Sequence, residues 1–511
     1  MSQIVAILDC YTVEPSGLGV PPYLSTYARA AFAALARAYP GADIRYLTID
    51  DVRWSRNDGQ PYVAAPQTDP LTYSATVSRP DIAMILSDAE VLVVIAGDAV
   101  PSVHLQAQNG SPDEIDSVLA QTRGRRVLLG PLAAQLPSLP GALRARFDAT
   151  HTHTITSGDV LLGSQSAASY ERLADDRGSY ARLIDQLGWR PVAEIELYRG
   201  CTRRRFCSFC NEPIKSPLVD FRDPADVLAE VAELYRAGVR HFRLGQQTCF
   251  FSYLRRDADA IGRLLAGIRE QCPELEVLHI DNADPLAVAS PAGAKIAQLI
   301  TTYCTEGNCA PMGIESFDPA VISANALTCT PDVLLRAIAN INEAGAHAGP
   351  RGLPMLLPGL NLVYGLPGET HRTHFENLTW LVRILDDGYL CHRINVRQVR
   401  SYPGTSLAGQ QQKDFPPPSA EHFQTWKSDV SYLFDQPMKQ QVYPAGMTIP
   451  GLHSFFITGR GTWHRRLGSY SIQVVEPGVA RTLFEEADLM VTGHEPRYIY
   501  GKSVAAVTAA A

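Results

Sequence analysis

The stretch CTRRRFCSFC, residues 201–210, sets Cys201, Cys207 and Cys210 in a C-x5-C-x2-C pattern. It follows directly on AEIELYRG (193–200), a run that reads as a strand. The chain holds ten cysteines, and three of them fall within these ten residues. The start, MSQIVAILDCYTVEP, has no basic leading region and meets an acid soon after its apolar run, so it does not read as a secretory signal. A disulfide framework is therefore not expected, and a tight thiol group points to metal or redox chemistry. Three thiolates at this spacing can hold three irons of a [4Fe–4S] cluster and leave the fourth iron open. Zinc is the rival reading, but a structural zinc site asks for a fourth Cys or His nearby and the loop supplies none.

Downstream of the loop, strand-like runs alternate with helical segments. VRHFRLG (239–245), LEVLHID (275–281), APMGIES (310–316), GLNLVYG (359–365) and HRINVRQV (392–399) complete six strand–helix units between 191 and 405. Six are too few for a closed eight-unit barrel, but chemistry is still expected at the C-terminal strand ends. Upstream, IVAILDC (4–10), DIRYLTI (43–49), AEVLVVIAG (89–97) and RRVLLGP (125–131) are continuous apolar runs, with a helix expected over Tyr23 to Tyr39. Such runs imply a parallel sheet covered on both faces, with ligands beyond the carboxyl ends of its strands. Gly17, Gly19 and Gly97 at those ends would let backbone approach a large ligand, and serve equally well as turn residues. After 405, the stretch to 450 reads as an irregular connection with one helix. SYSIQVVEPG (469–478) and ADLMVTGHEPRYIYG (487–501) then indicate a small all-β module.

The fold expected is thus α/β: a doubly wound Rossmann-like domain (1–165), a linker (166–190), a partial (β/α)6 barrel (191–405), a connection (406–450) and a small β domain (451–511). Among the 511 residues, 46% are hydrophobic and 19% charged, which argues against global disorder. The net charge of −8, from 45 basic against 53 acidic residues, argues against a protein built to coat nucleic acid. The longest apolar stretches, such as Val91 to Gly97, are far too short to span a membrane, so a cytoplasmic location is expected.

At the cysteine loop the sequence resembles the radical S-adenosylmethionine (SAM) enzymes, and the whole layout resembles their cobalamin-binding-domain branch, in an archaeal-type form with a C-terminal TRAM- or OB-like domain. The resemblance implies that the open iron is chelated by SAM, whose reductive cleavage gives a 5′-deoxyadenosyl radical. It places Phe209 over the cluster or adenine. It assigns cofactor contacts to Gln246 and Gln247 in RLGQQT, Asn282 beside Asp281 in HIDNADP, Glu315 and Ser316 in GIESFDP, and Arg400 in VRQVRSYPGT. Gly17, Gly19 and Gly97 would face cobalamin, a further cofactor that the resemblance implies. The chain departs from the family in its wider first cysteine gap, in lacking Gly-Gly-Glu after the second strand, and in lacking D-x-H-x-x-G in the first domain. His104 thus has no motif support as an axial ligand.

The activity implied is that of a cobalamin-dependent methyltransferase acting on an unactivated carbon. The alternatives are a cobalamin-free radical SAM enzyme of another class and an RNA-modifying or RNA-binding iron–sulfur protein. Methylthio transfer to RNA is disfavoured, since related enzymes carry a second cysteine triad in the first domain and only Cys10 precedes residue 201. The implied partners are a small-molecule or peptide substrate and an electron donor of flavodoxin or ferredoxin type; nucleic acid is less favoured. Arg203, Arg204 and Arg205 would either compensate cluster charge or form a solvated loop face. Arg460, Trp463, His464, Arg465, Arg466 and Tyr470 mix base and aromatic as single-strand binders do. A domain that packs over the barrel is the preferred reading of that segment.

Overall fold

The structure, a computed structural model, describes residues 3–14, 17–19, 22–57, 76–97, 109–134, 139–151, 178–410 and 420–504. Asp98, His104 and much of the expected linker (166–177) lie outside the described residues. The chain forms two compact bodies, one of Met1–Glu196, Arg222–Gln246 and Ile268–Glu276, the other of Leu197–Phe221, Gln247–Gly267 and Val277–Ala511.

In the first body the strands Asp43–Thr48, Ile4–Asp9, Val91–Ile95, Arg125–Leu129 and Ala149–His151 lie side by side in that order, all parallel. In order along the chain this is 2-1-3-4-5, the flavodoxin-like doubly wound arrangement. Alternate residues feed two cores. Ala6, Leu8, Leu92 and Val94 face one, and Val5, Ile7, Val93 and Ile95 face the other against helix Thr26–Ala38. Burial on both faces is why these strands read as unbroken apolar runs.

The first helix starts later than expected. Ser25 caps it by accepting from the Ala28 amide, and Tyr23–Leu24 forms a short strand instead, paired in parallel with Val192–Ala193. Val192–Ile195 in turn pairs with His241–Leu244. Buried charge reinforces this arrangement. Arg29, in the middle of an alanine-rich helix, bonds Glu230 at 3.1 Å, and Arg222 pairs with the same carboxylate. Burial works against the charge on Glu230, but Arg222 and Arg29 outweigh it and hold its carboxyl down at about 2. The packing therefore does not divide at 165–190: a buried arginine needs its counter-charge, and Glu230 supplies it from helix Pro224–Arg236.

In the second body, Asn308–Glu315, Leu356–Tyr364 and Arg393–Gln398 make a parallel sheet. Val277–Ile280 precedes them, and Ala283 bridges to Met312. Helix Pro331–Gly345, capped by Thr330 with proline at its first position, packs close: a side chain at 345 would strike Leu356 backbone. All six strands expected between 191 and 405 are present. The end of the chain is a closed five-stranded barrel of Thr448–Thr458, Gly461–Arg465, Gln473–Pro477, Ile499–Ser503 and Glu486–His494. Helices Ala420–Val430 and Gln436–Val442 lead to it. Among the described residues no helix is long and apolar enough to cross a membrane.

Candidate functional site

The cysteine loop belongs to the second body. Gly200 opens it at φ +82°, where a Cβ would lie 2.5 Å from the Leu218 carbonyl oxygen, so only glycine can make this turn. The loop is pinned from inside. Ser208 donates its amide to the Asn325 carbonyl (3.1 Å) and its hydroxyl to Asn325 Oδ1 (2.6 Å), while Leu407 N–H donates to the Ser208 carbonyl (2.8 Å). Cys201, Cys207, Phe209 and Cys210 are all half-buried.

Burial raises all three thiols, Cys210 to about 12, and each feels its neighbours' charge. Arg203 opposes this at Cys207. Its guanidinium donates to Cys207 Sγ at 3.1 Å and grips Asp284 with a fork at 3.1 and 3.0 Å. Arg204 and Arg205 are exposed, so the basic run splits into one compensating cation and two solvated ones. Among the described residues no three His, Cys, Asp or Glu side chains converge on a single-ion site. Three half-buried thiols with a fixed cation beside Cys207 suit a polynuclear cluster, whose binding would displace the protons that burial retains. The remaining cysteines from Cys249 onward are buried, in keeping with structural roles.

Glu315 ends its strand in an unusual conformation. A bulge between Gly313 and Glu315 shifts the register so that Glu315 faces Leu362, and its φ is +64°. Bulges re-aim side chains, and a non-glycine residue in this region is strained. The carboxylate folds back over Gly313, where any side chain would collide with it. Burial pushes it up to about 7, with Arg203 and Arg397 opposing. No cation lies within ion-pair distance of it among the described residues, so it does not pair with a surface Lys or Arg.

Other expected contacts are placed differently. Ser316, the first residue past the strand, turns away into the structure, accepting from the Asp318 amide (3.1 Å) and donating to Asn377 Oδ1 (3.4 Å). Gln247 is buried with its Oε1 accepting from Leu197 N–H. Gln246, in the first body, sits at φ +69° and bonds the Thr26 hydroxyl; its Nε2 is buried without an acceptor among the described residues. Asn282 accepts at its carbonyl from Phe250 N–H (2.7 Å) and keeps a half-buried side chain. Arg400 is exposed, with its guanidinium 5.8 Å from the Tyr402 ring centroid. Arg397, which shares a strand face with Arg393, is the strand's cation that acts on Glu315. Alternation along HRINVRQV could have singled it out.

The open glycine shelf expected in the first domain is not found in its described part. Gly17–Gly19 pairs with Thr12–Glu14 in a small antiparallel ribbon, Gly17 opposite Glu14 and Gly19 opposite Thr12. Gly97 N–H donates to the Tyr11 carbonyl (2.9 Å). Tyr11 itself is fully buried at φ +65°, its hydroxyl on Asp50 (2.8 Å) and its amide on Asp9 (2.8 Å). Gly110 and Gly130 are explained by packing, since a Cβ would come within 2.9 Å of the Cys10 Cβ and 3.0 Å of the Ala96 carbonyl. Loop residues 98–108 and 135–138 lie outside the described residues.

The C-terminal basic–aromatic segment is largely consumed by packing. Trp463 and His464 are buried in the small barrel, Arg465 lies 5.0 Å from the Phe455 ring centroid, and Arg466 faces Glu306 at 3.8 Å.

The family description "Radical SAM superfamily" matches residues 195–379, a span holding the three cysteines, Gln246, Asn282 and Glu315. The chain belongs to the radical SAM superfamily. It is 34% identical, over 98% of its own length and 93% of the other's, to an uncharacterized protein of Methanocaldococcus jannaschii. It is 29% identical, over 48% of its length and 45% of the other's, to the ribosomal protein uS12 methylthiotransferase RimO of Streptomyces griseus. In fold it is similar to the apo structure of the cobalamin-dependent SAM radical enzyme OxsB, with TM-score 0.52 and 12% identity over 84% of this chain and 56% of that one. Radical SAM membership implies a [4Fe–4S] cluster and SAM, and the thiols and the unpaired, re-aimed carboxylate fit both.

Proposed function

We propose that this protein cleaves SAM reductively at a cluster held by Cys201, Cys207 and Cys210, and directs the resulting radical at an unreactive carbon of its substrate. The observation that carries this reading is Arg203, whose guanidinium bonds the Cys207 thiol at 3.1 Å and Asp284 at 3.0 Å, so that one fixed cation sits inside the cysteine loop. When bound, the cluster supplies the electron that breaks a carbon–sulfur bond of SAM. Arg203 offsets the negative charge that thiolates bring, Ser208 and Asn325 hold the loop still, and Glu315 accepts a hydrogen bond from SAM. The electron comes from a flavodoxin- or ferredoxin-type donor. Anaerobic reconstitution should give about four irons per chain. With SAM and dithionite the product should be 5′-deoxyadenosine. Full iron retention in a Cys201→Ala/Cys207→Ala/Cys210→Ala variant would sink the assignment.

Cobalamin-dependent methyl transfer is a finer reading, favoured by the 2-1-3-4-5 strand order, whose ligands occupy the crevice between the first and third strands. Tyr11 is buried at the end of the first strand with its hydroxyl on Asp50; no residue of that edge is assigned to a corrinoid, and SAM cleavage stands without one. Protein produced with ample cobalamin and purified without a corrinoid spectrum would remove the methyl-transfer reading. The RimO likeness does not extend to a second cysteine triad, which the chain lacks.

A further inference from the structure

Within the second body, the connection from Gly461–Arg465 to Gln473–Pro477 enters the interior of the radical SAM strands. Ser469 N–H donates to His279 Nδ1 (2.9 Å), and Gly468 passes so close that a Cβ would lie 2.8 Å from the same ring. Tyr470 is held in a strained conformation, φ +51°, by three contacts. Its hydroxyl donates to Asp281 (2.9 Å), its carbonyl accepts from His392 Nε2 (2.8 Å), and its ring lies under the Arg393 guanidinium at 5.1 Å.

The sheet above Tyr470 has two unlike faces. Met312, Leu360 and Leu362 are fully buried, as a barrel wall requires. The opposite face carries Gly313, Asn361, Arg393 and Asn395, all partly accessible, where a closed barrel would have branched apolar side chains. Asn395 donates to Asn361 Oδ1 (2.8 Å) and accepts from Arg393. No carboxylate lies within ion-pair distance of Arg393 among the described residues. A half-buried guanidinium that finds only an amide and a ring face is incompletely compensated. The next cation on this face, Arg397, is four residues along an extended strand, about 13 Å away. One planar fork, with no second cation beside it on this face of the strand among the described residues, suits a carboxylate better than a phosphate dianion.

We propose that this face, floored by Tyr470 from the C-terminal barrel, is the substrate pocket, and that Arg393 receives the carboxylate of a small-molecule substrate. The proposal rests on the SAM-cleaving reading only for what then happens to that molecule. The test uses cluster-reconstituted full-length protein and monocarboxylates from acetate to benzoate, each paired with its amide, with binding read by ligand-detected NMR. At least one acid should bind tenfold or more tightly than its amide, and Arg393→Gln should erase the preference. Asn395→Asp should erase it too, by giving Arg393 an internal carboxylate without removing a packed side chain. The proposal is overturned if no acid is preferred, if the preference survives in either variant, or if inorganic phosphate binds more tightly than every acid. Iron content and 5′-deoxyadenosine formation in the same wild-type preparation separate the two readings. Their loss overturns SAM cleavage, whereas their presence without acid preference overturns the pocket alone.

Discussion

Two strand ends in this molecule carry candidate ligand contacts in the sequence, and they are built in opposite ways. At the end of Ile4–Asp9, the carboxylates are answered by protein, Asp9 by the Tyr11 amide and Tyr46 hydroxyl and Asp50 by Tyr11 and Arg53, and only the neutral Thr12 hydroxyl is buried without a partner among the described residues there. At the end of Asn308–Glu315, a bulge and a strained φ turn a carboxylate back over a glycine and leave it without an ion-pair partner among the described residues. Strain occurs at both ends, since Tyr11 is also left-handed. It is an unpaired carboxylate, rather than strain, glycine content or a lone buried hydroxyl, that separates a site from a well-packed edge.

The contrast is sharpest where thiols are removed. Replacing Cys201, Cys207 and Cys210 by alanine should abolish iron binding and SAM cleavage altogether, read as iron per chain and as 5′-deoxyadenosine. Cys10→Ala, at the other strand end, should leave both at wild-type level.

A second difference is in pH. Burial holds the Asp9 carboxyl up at about 7 in the folded chain, against an ordinary 3.8. Between those values the native state binds more protons than the unfolded one, so this contribution is complete below pH 3.8 and falls as pH rises to about 7. The loss is on the order of 4 kcal/mol. Glu230 has the opposite sign: held at about 2 against 4.5, it stabilises fully above pH 4.5 and loses that contribution as pH falls. Urea unfolding of Asp9→Asn between pH 4 and 8 should show a flatter profile than wild type. An unchanged slope would mean that Asp9 is already ionised in the native state.

Glu315→Gln keeps the shape and removes the charge. It should weaken SAM binding about ten- to a hundredfold, the worth of one charge-assisted hydrogen bond, with iron content unchanged. Unaltered SAM affinity would return Glu315 to the class of packed strand ends.

How far these features were legible follows from their range along the chain. The cysteine loop was readable because its ligands lie within ten residues, and the parallel strands because burial on both faces leaves an unbroken apolar signature. The pairing of Arg29 with Glu230 spans 201 positions, and that of Tyr470 with Asp281 spans 189. Neither leaves a local trace. The bulge before Glu315 arises from register against Leu356–Tyr364, so the residue could be named while its direction could not, and its neighbour Ser316 was assigned to the wrong face. Gly17 and Gly19 misled because an extended glycine ribbon and a ligand-facing loop share one composition.

The smallest effect bears on whether the packed edge is only packed. Tyr11→Phe keeps the ring in place and deletes the hydroxyl that donates to Asp50, which retains Arg53 at 3.0 Å as a partner. Because Asp50 is not left alone, the cost should be that of one ordinary hydrogen bond, about 1 kcal/mol, and not that of a buried orphan charge. Cluster content and 5′-deoxyadenosine formation should stay at wild-type level. Tyr11→Ala goes further by removing the buried ring at the end of the first strand, at a cost of about 3–5 kcal/mol if the space stays void. If that edge is purely structural, the alanine variant should be destabilised and purify free of corrinoid even from cobalamin-rich cells. Corrinoid retention by Tyr11→Ala, or its loss from a wild type that carries it, would show that the tyrosine stands over a ligand crevice, and the two strand ends would then differ in occupancy, not in kind.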